Sequence, residues 1–173
     1  MDSAAIRGNV RTVVGLVGVA LVLAAVVSLT PRGGPAAAGS WQPPAGHVLA
    51  DTVELGDDRA LRLWTKPGAW YVERLIDGQH EEIIGASVGG DRYTVTEVFE
   101  AYVGTVPRAE AQAVSVRSPG GAAVRAEVND GVFIVGGRVA DAGENRLLVT
   151  TLDAAGVRVG GETEVPIAGR PVR

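Results

Sequence analysis

Two hydrophobic patterns divide this chain. From Thr12 to Thr30 the run TVVGLVGVALVLAAVVSLT is apolar on every face and carries no charge, between Arg11 and Arg32. A helix apolar all round is either deeply buried or membrane-spanning. At about 1.5 Å rise per residue, this run covers roughly the 30 Å hydrocarbon core of a bilayer. Its many valines are poor helix formers in water, but lipid forces every backbone hydrogen bond to be satisfied internally. Beyond His47 the pattern changes to short runs in which apolar and polar residues alternate, separated by Gly, Pro and Asp. That is the period of half-buried β-strands joined by turns.

The alternation predicts His47–Leu55 as a strand, the turn Gly56–Arg59, and Ala60–Lys66 with Leu61, Leu63 and Thr65 on one side. Pro67-Gly68 is a turn signal. Ala69–Asp77 places Trp70, Val72 and Arg74 on one face and Tyr71, Glu73 and Leu75 on the other. Gly78-Gln79-His80 turns into Glu81–Val88, and Gly89–Arg92 closes that hairpin. Tyr93–Val106 is one or two strands: Thr94 and Glu97 resemble a helix capping box, but β-branched and aromatic content favours strand. Gln112–Ser118, Ala123–Val128 and Val132–Val135 follow as strands. Arg146–Leu152 and Val157–Val159 form another hairpin, and Pro166 to Arg173 is a loose tail. Val-Gly-Gly recurs at 88, 135 and 159 with unequal spacing, which is turn punctuation rather than a repeat.

This organisation predicts a short cytoplasmic tail at 1–11, a transmembrane helix or signal segment at 12–30, a Pro/Gly/Ala linker at 31–46 and an external β-sandwich domain at 47–173. Arg7 and Arg11 before the run, against Arg32 after it, keep the N-terminus inside. The alternative is a signal peptide cleaved after Ala38 and a secreted domain. A tail of this length is too short to fold, so function is expected outside or in the membrane. Trp41, within the linker, suits either the headgroup level or a dock on the domain.

Composition narrows the chemistry. The chain holds no cysteine, which excludes disulfides, thiol redox chemistry and lipid attachment through a cysteine. Net charge is −4 with a single lysine, Lys66, and no basic block, so nucleic-acid binding is disfavoured.

Candidate motifs are sparse. Gly85-Ala86-Ser87-Val88-Gly89 matches the nucleophile elbow of α/β-hydrolases. That mechanism needs a histidine after the serine, and both histidines, His47 and His80, precede it. A hairpin end with small residues is the simpler account. His47 and His80 with Asp51, Glu81 and Glu82 lack the spacing of a zinc site. Asp51, Glu54, Asp57 and Asp58, and again Asp141–Asn145, look like Asp-rich turns rather than a calcium loop. No catalytic residue, cofactor or metal is therefore expected. Trp70 is expected in the core, and Trp64 and Tyr71, if both face outward on paired strands, form a candidate binding face.

The strand count and the lack of helical periodicity predict an all-β, immunoglobulin-like antiparallel sandwich after a single N-terminal transmembrane helix. The segments YVGTVP (Tyr102–Pro107), DGVF (Asp130–Phe133) and LDAAGVRV (Leu152–Val159), set after an N-terminal span, resemble uncharacterised anchored or secreted proteins of high-GC Gram-positive bacteria. The resemblance implies no activity and no site residues. The expected function is a membrane-anchored, non-enzymatic external module with an accessory, sensor or interaction role. It would hold the bilayer through Thr12 to Thr30 and meet a protein partner at the envelope. The alternatives are a small subunit contacting a larger membrane assembly through its span, and an envelope hydrolase using Ser87 or the acid pair Glu81/Glu82.

Overall fold

A computed structural model describes residues 41–169 apart from 89, 108, 141 and 142. The expected span, the cleavage point after Ala38 and most of the linker lie outside the described residues. Among the described residues no helix is long and apolar enough to cross a membrane. The described residues are all-β, and their two sheets are mainly antiparallel.

The first sheet is a four-stranded meander of β1 (Val48–Gly56), β2 (Arg59–Lys66), β3 (Ala69–Ile76) and β4 (Gln79–Ser87). Tight turns fix its register. Asp57 and Asp58 both take positive φ, 53° and 57°, as a two-residue type I′ hairpin requires. Asp77-Gly78 does the same between β3 and β4. Pro67-Gly68, with Gly68 at φ 82°, joins β2 to β3. His80 is part of β4, opposite Leu75, rather than in a turn, because the Asp77-Gly78 pair alone completes the reversal.

The second sheet holds β5 (Thr94–Val98), β6 (Ala101–Thr105), β7 (Ala113–Arg117), β8 (Val124–Glu127), β9 (Val132–Gly136), β10 (Arg146–Leu152) and β11 (Thr163–Ala168). Their order is β8-β7-β10-β11-β5-β6-β9, with β11 and β5 the parallel pair. The edge strands β8 and β9 also pack against each other, so the sheet curls around its own core. Val95, Tyr102, Val114, Phe133, Leu147 and Ile167 fill that core.

Alternate residues of β6 and β9 point the other way. Ala101, Val103, Val132 and Ile134 meet Leu61, Leu63, Trp70 and Val72 of the meander in a second core. Strands β6 and β9 are consequently buried on both faces, while the meander buries one face and presents the other outward. Thr65 Oγ1 donates to Asp130 Oδ2 at 3.0 Å, and Arg59 Nη1 contacts both carboxylate oxygens of Glu100 at 2.7 Å, tying the sheets together at their rims.

Three more expectations need correction. Gly90–Arg92 does not close a hairpin: β4 is an edge of the meander, and the chain crosses there to the second sheet. Tyr93–Val106 agrees with the expectation of one or two strands: it is two, around a Phe99-Glu100 turn with Phe99 at φ 54°. Val157–Val159 makes only an isolated bridge, Leu152 to Arg158, because β11 takes the neighbouring place beside β10. Pro166, Ile167 and Ala168 are not a tail but the end of β11. The proline is tolerated where β11 passes from its β10 pairing to its short β5 pairing, since it has no N–H to leave unpaired.

Candidate binding face

The candidate site lies on the outward face of the meander. Alternation puts Arg62, Trp64 and Lys66 of β2 and Tyr71 and Glu73 of β3 on this face, because Leu61, Leu63, Thr65, Trp70 and Val72 are turned into the core. Trp64 and Tyr71 are register partners across β2 and β3, and both are half-buried. On β4 the partner of Tyr71 is Gly85.

One carboxylate organises the middle of the face. Glu73 is 2% exposed. Burying a carboxylate is tolerable only when it is hydrogen-bonded or paired. Trp64 Nε1 donates to Glu73 Oε2 at 3.0 Å. His80 Nδ1 lies 3.3 Å from Oε1, and Arg62 Nη1 lies 3.9 Å from Oε2. Because a carboxylate can only accept, His80 carries its proton on Nδ1 in this contact.

Residues 41–47 lie across this face as a strap. The Trp41 ring stacks on His80, with centroids 5.0 Å apart and planes 7° off parallel, and meets Trp64 edge-on at 5.8 Å. At the other end His47, buried, packs edge-on against Tyr71 at 4.7 Å. A Pro44–His47 turn shapes the strap. The Pro44 carbonyl accepts from the His47 N–H at 3.2 Å and from Nδ1 at 3.0 Å, with Gly46 at φ 83°. Trp41 thus docks on the domain. Beyond the strap, the edge strand β1 leaves Val48 and Leu49 exposed, Leu49 being the register partner of Trp64.

The remaining candidates are placed elsewhere or engaged. Ser87 ends the edge strand β4, exposed, opposite Ala69. Gly85 of the same motif lies under the Tyr71 ring, and Gly89 lies outside the described residues. The acids Glu81 and Glu82 both hold Arg74, whose guanidinium caps the Phe99 ring at 4.6 Å. His47 and His80 are on opposite ends of the strap. Asp57 and Asp58 form a hairpin turn, with Asp57 3.6 Å from Arg59, and Asp51 accepts from the Thr52 N–H. Asp141 and Ala142 lie outside the described residues. Among the described residues no three His, Asp or Glu side chains converge as a metal site requires.

Two open clefts lie away from this face. One, about 790 Å³, runs between the β1–β2 turn, Phe99-Glu100 and the 3-10 turn Gly137–Val139. The other, about 520 Å³, lies among Asp91–Tyr93, Pro107 and Thr163–Pro166.

Sequence reasoning singled out Trp64 and Tyr71 and offered docking on the domain as one place for Trp41, but missed Glu73 and the course of the strap. An acid at a half-buried strand position, two residues from an aromatic on the same face, was the available signal for Glu73. The searches for relatives matched no family model, no curated protein and no solved structure.

Proposed function

We propose that this chain is a membrane-anchored, non-enzymatic module whose external β-domain works by contact at the cell envelope. The observation that carries this reading is the in-register Trp64–Tyr71 pair on the outward face of the meander, held by Glu73 and partly covered by the docked strap. Aromatic side chains that present area outward on a rigid sheet are contact surfaces rather than reaction centres. The uncharged run Thr12–Thr30 supports the anchor, with the N-terminus inside and the domain outside. The immunoglobulin-like arrangement belongs to the proposal; two sheets facing across a shared core support it.

The surroundings of Ser87 weigh against a hydrolase. It sits at an exposed strand end, and His80 is committed to Glu73 and Trp41.

The test is mild crosslinking of tagged full-length protein in the membranes of its source organism, with wild type beside a Trp64→Ala/Tyr71→Ala variant. The expected result is resistance to alkaline extraction and an envelope component captured by wild type and lost from the variant. Release of the chain by alkaline carbonate overturns the anchor. Equal capture by both forms overturns the assignment of this face.

A further inference from the structure

The described chain enters its domain through Trp41, which is fixed on the outer face of the meander by His80 and Trp64. Whatever precedes residue 41 therefore departs from this face. Thr30, the last residue of the uncharged run, lies about eleven residues upstream, at most roughly 40 Å of extended chain. A span at Thr12–Thr30 holds this face within reach of the bilayer.

The acids of the meander's turns gather at one end. The β1–β2 and β3–β4 turns share one end, joined by the Asp77 N–H donating to the Asp58 carbonyl at 2.9 Å, and they carry Asp57, Asp58 and Asp77. The Pro67-Gly68 turn is at the other end, beside Lys66, the only lysine of the chain. Near it lie Trp64, Tyr71 and the exposed Leu49 and Val48, at 49% and 61%. The acids of the meander strands are spent or distant. Glu73 is buried against Trp64, His80 and Arg62; Glu81 and Glu82 hold Arg74; Glu54 sits opposite Ala60, toward the acidic end. Asp51 is the register partner of the core residue Leu63, and its carboxylate accepts the Thr52 N–H. An acidic protein thus gathers aromatic, aliphatic and cationic groups at one end of the face from which its chain departs at Trp41.

The geometry points to this end of the outer face as a surface that docks on a bilayer bearing anionic phospholipid. Lys66, with Arg62 behind it, meets the phosphates. The exposed Leu49, with the parts of Trp64 and Tyr71 that the strap leaves open, sits at the headgroup level, where amphipathic rings are favoured. The two clefts described above open elsewhere, and a broad sheet face fits a surface better than a small molecule. The inference rests on the anchored reading and names the contact of the same face.

The test uses the full chain reconstituted with phosphatidylcholine vesicles, with and without phosphatidylglycerol, containing lipids brominated on the acyl chains. Quenching of tryptophan emission reports docking, and flotation after alkaline carbonate reports the span. Quenching is expected in the anionic vesicles and is expected to fade with salt. Lys66→Glu should lower the docked-to-undocked ratio about fivefold for each unit of charge changed. Leu49→Asp should lower it further, while Val157→Asp, exposed in the connection between β10 and β11, should leave it unchanged. Flotation without quenching overturns the docking and leaves the anchor standing. Quenching and low-salt flotation that do not survive carbonate support the docking and overturn the span. Self-association lost on Leu49→Asp, without quenching, makes a second copy the occupant and overturns the proposal.

Discussion

The Tyr71 ring lies directly over Gly85, its register partner on β4. A Cβ at position 85 would fall within that ring and only 2.8 Å from the Trp70 carbonyl oxygen. This contact accounts for the first glycine of the Gly-x-Ser-x-Gly motif: it is the bare backbone an aromatic needs to lie flat on an edge strand. Gly85→Ala is expected to destabilise the domain by about 1–3 kcal/mol, the range for overpacking. The same substitution in a Tyr71→Ala background should cost far less. Urea denaturation of the four proteins measures the coupling, and additive losses would show that the ring is not the obstacle.

Trp64 and Arg62 both face Glu73, but unequally. The indole N–H bonds the buried carboxylate at 3.0 Å, whereas Arg62 stands 3.9 Å away with 42% of its side chain exposed. Trp64→Phe removes a donor from a buried acceptor and should cost about 1–3 kcal/mol. Arg62→Ala should cost about 1 kcal/mol or less, as solvated ion pairs do. Denaturation midpoints would test the ranking; a larger loss from Arg62→Ala would mean that the guanidinium, not the indole, keeps Glu73 buried.

Phe99 occupies a turn position at φ 54° where glycine, asparagine or aspartate is usual. Its ring packs against the inter-sheet core and under the Arg74 guanidinium. Removing the ring loses that packing, but the backbone preference then shows itself. Phe99→Gly should be more stable than Phe99→Ala by about 1 kcal/mol, since only glycine enters the left-handed region without a Cβ penalty. Thermal melts of the two variants decide it, and a more stable alanine variant would show that the turn relaxes to negative φ.

Local signals made the meander legible. Its turns carry Asp-Gly and Pro-Gly, and Leu61, Leu63, Thr65, Trp70 and Val72 alternate into one core, so strand boundaries fall within a residue or two of expectation. The second sheet was less legible because its order is set by distant pairings. Phe99 hid the β5–β6 turn behind an aromatic, and Pro166 disguised a buried strand as a tail. Both faces of β6 and β9 are buried, which erases the alternation that marks an outer strand. The Trp64–Tyr71 face could be read from strand spacing. Its cover could not, because nothing in WQPPAGH has a period, and the stacking of Trp41 on His80 joins residues far apart in sequence.

The strap is held by ring contacts at its two ends, Trp41 on His80 and Trp64, and His47 on Tyr71. Each aromatic pair contributes about 0.5–1.5 kcal/mol beyond its buried area. Trp41→Ala should therefore lower stability by about 1–3 kcal/mol and open Trp64 to solvent. Acrylamide quenching of the remaining tryptophans should rise in the variant, while Trp70, 5% exposed, stays protected. Unchanged quenching would mean that the strap does not shield Trp64.

Strand β11 is the last strand of the described chain and the central one of its sheet, with β10 on one side and β5 on the other. It joins the halves β8-β7-β10 and β5-β6-β9, and its Val165 and Ile167 are buried in the core they share. A chain ended after Gly161 would leave two sheet fragments with unpaired inner edges and an open core. Such a protein is expected to lose cooperative unfolding altogether. Ile167→Ala, which only hollows the core, should remain folded and lose about 2–5 kcal/mol. Pro166→Ala, at an exposed position without a ladder N–H, should change stability by less than about 1 kcal/mol. Calorimetry separates these outcomes. A truncated chain that melts cooperatively near the full-length temperature would show that the segment is a dispensable tail and that the two halves of the sheet meet without it.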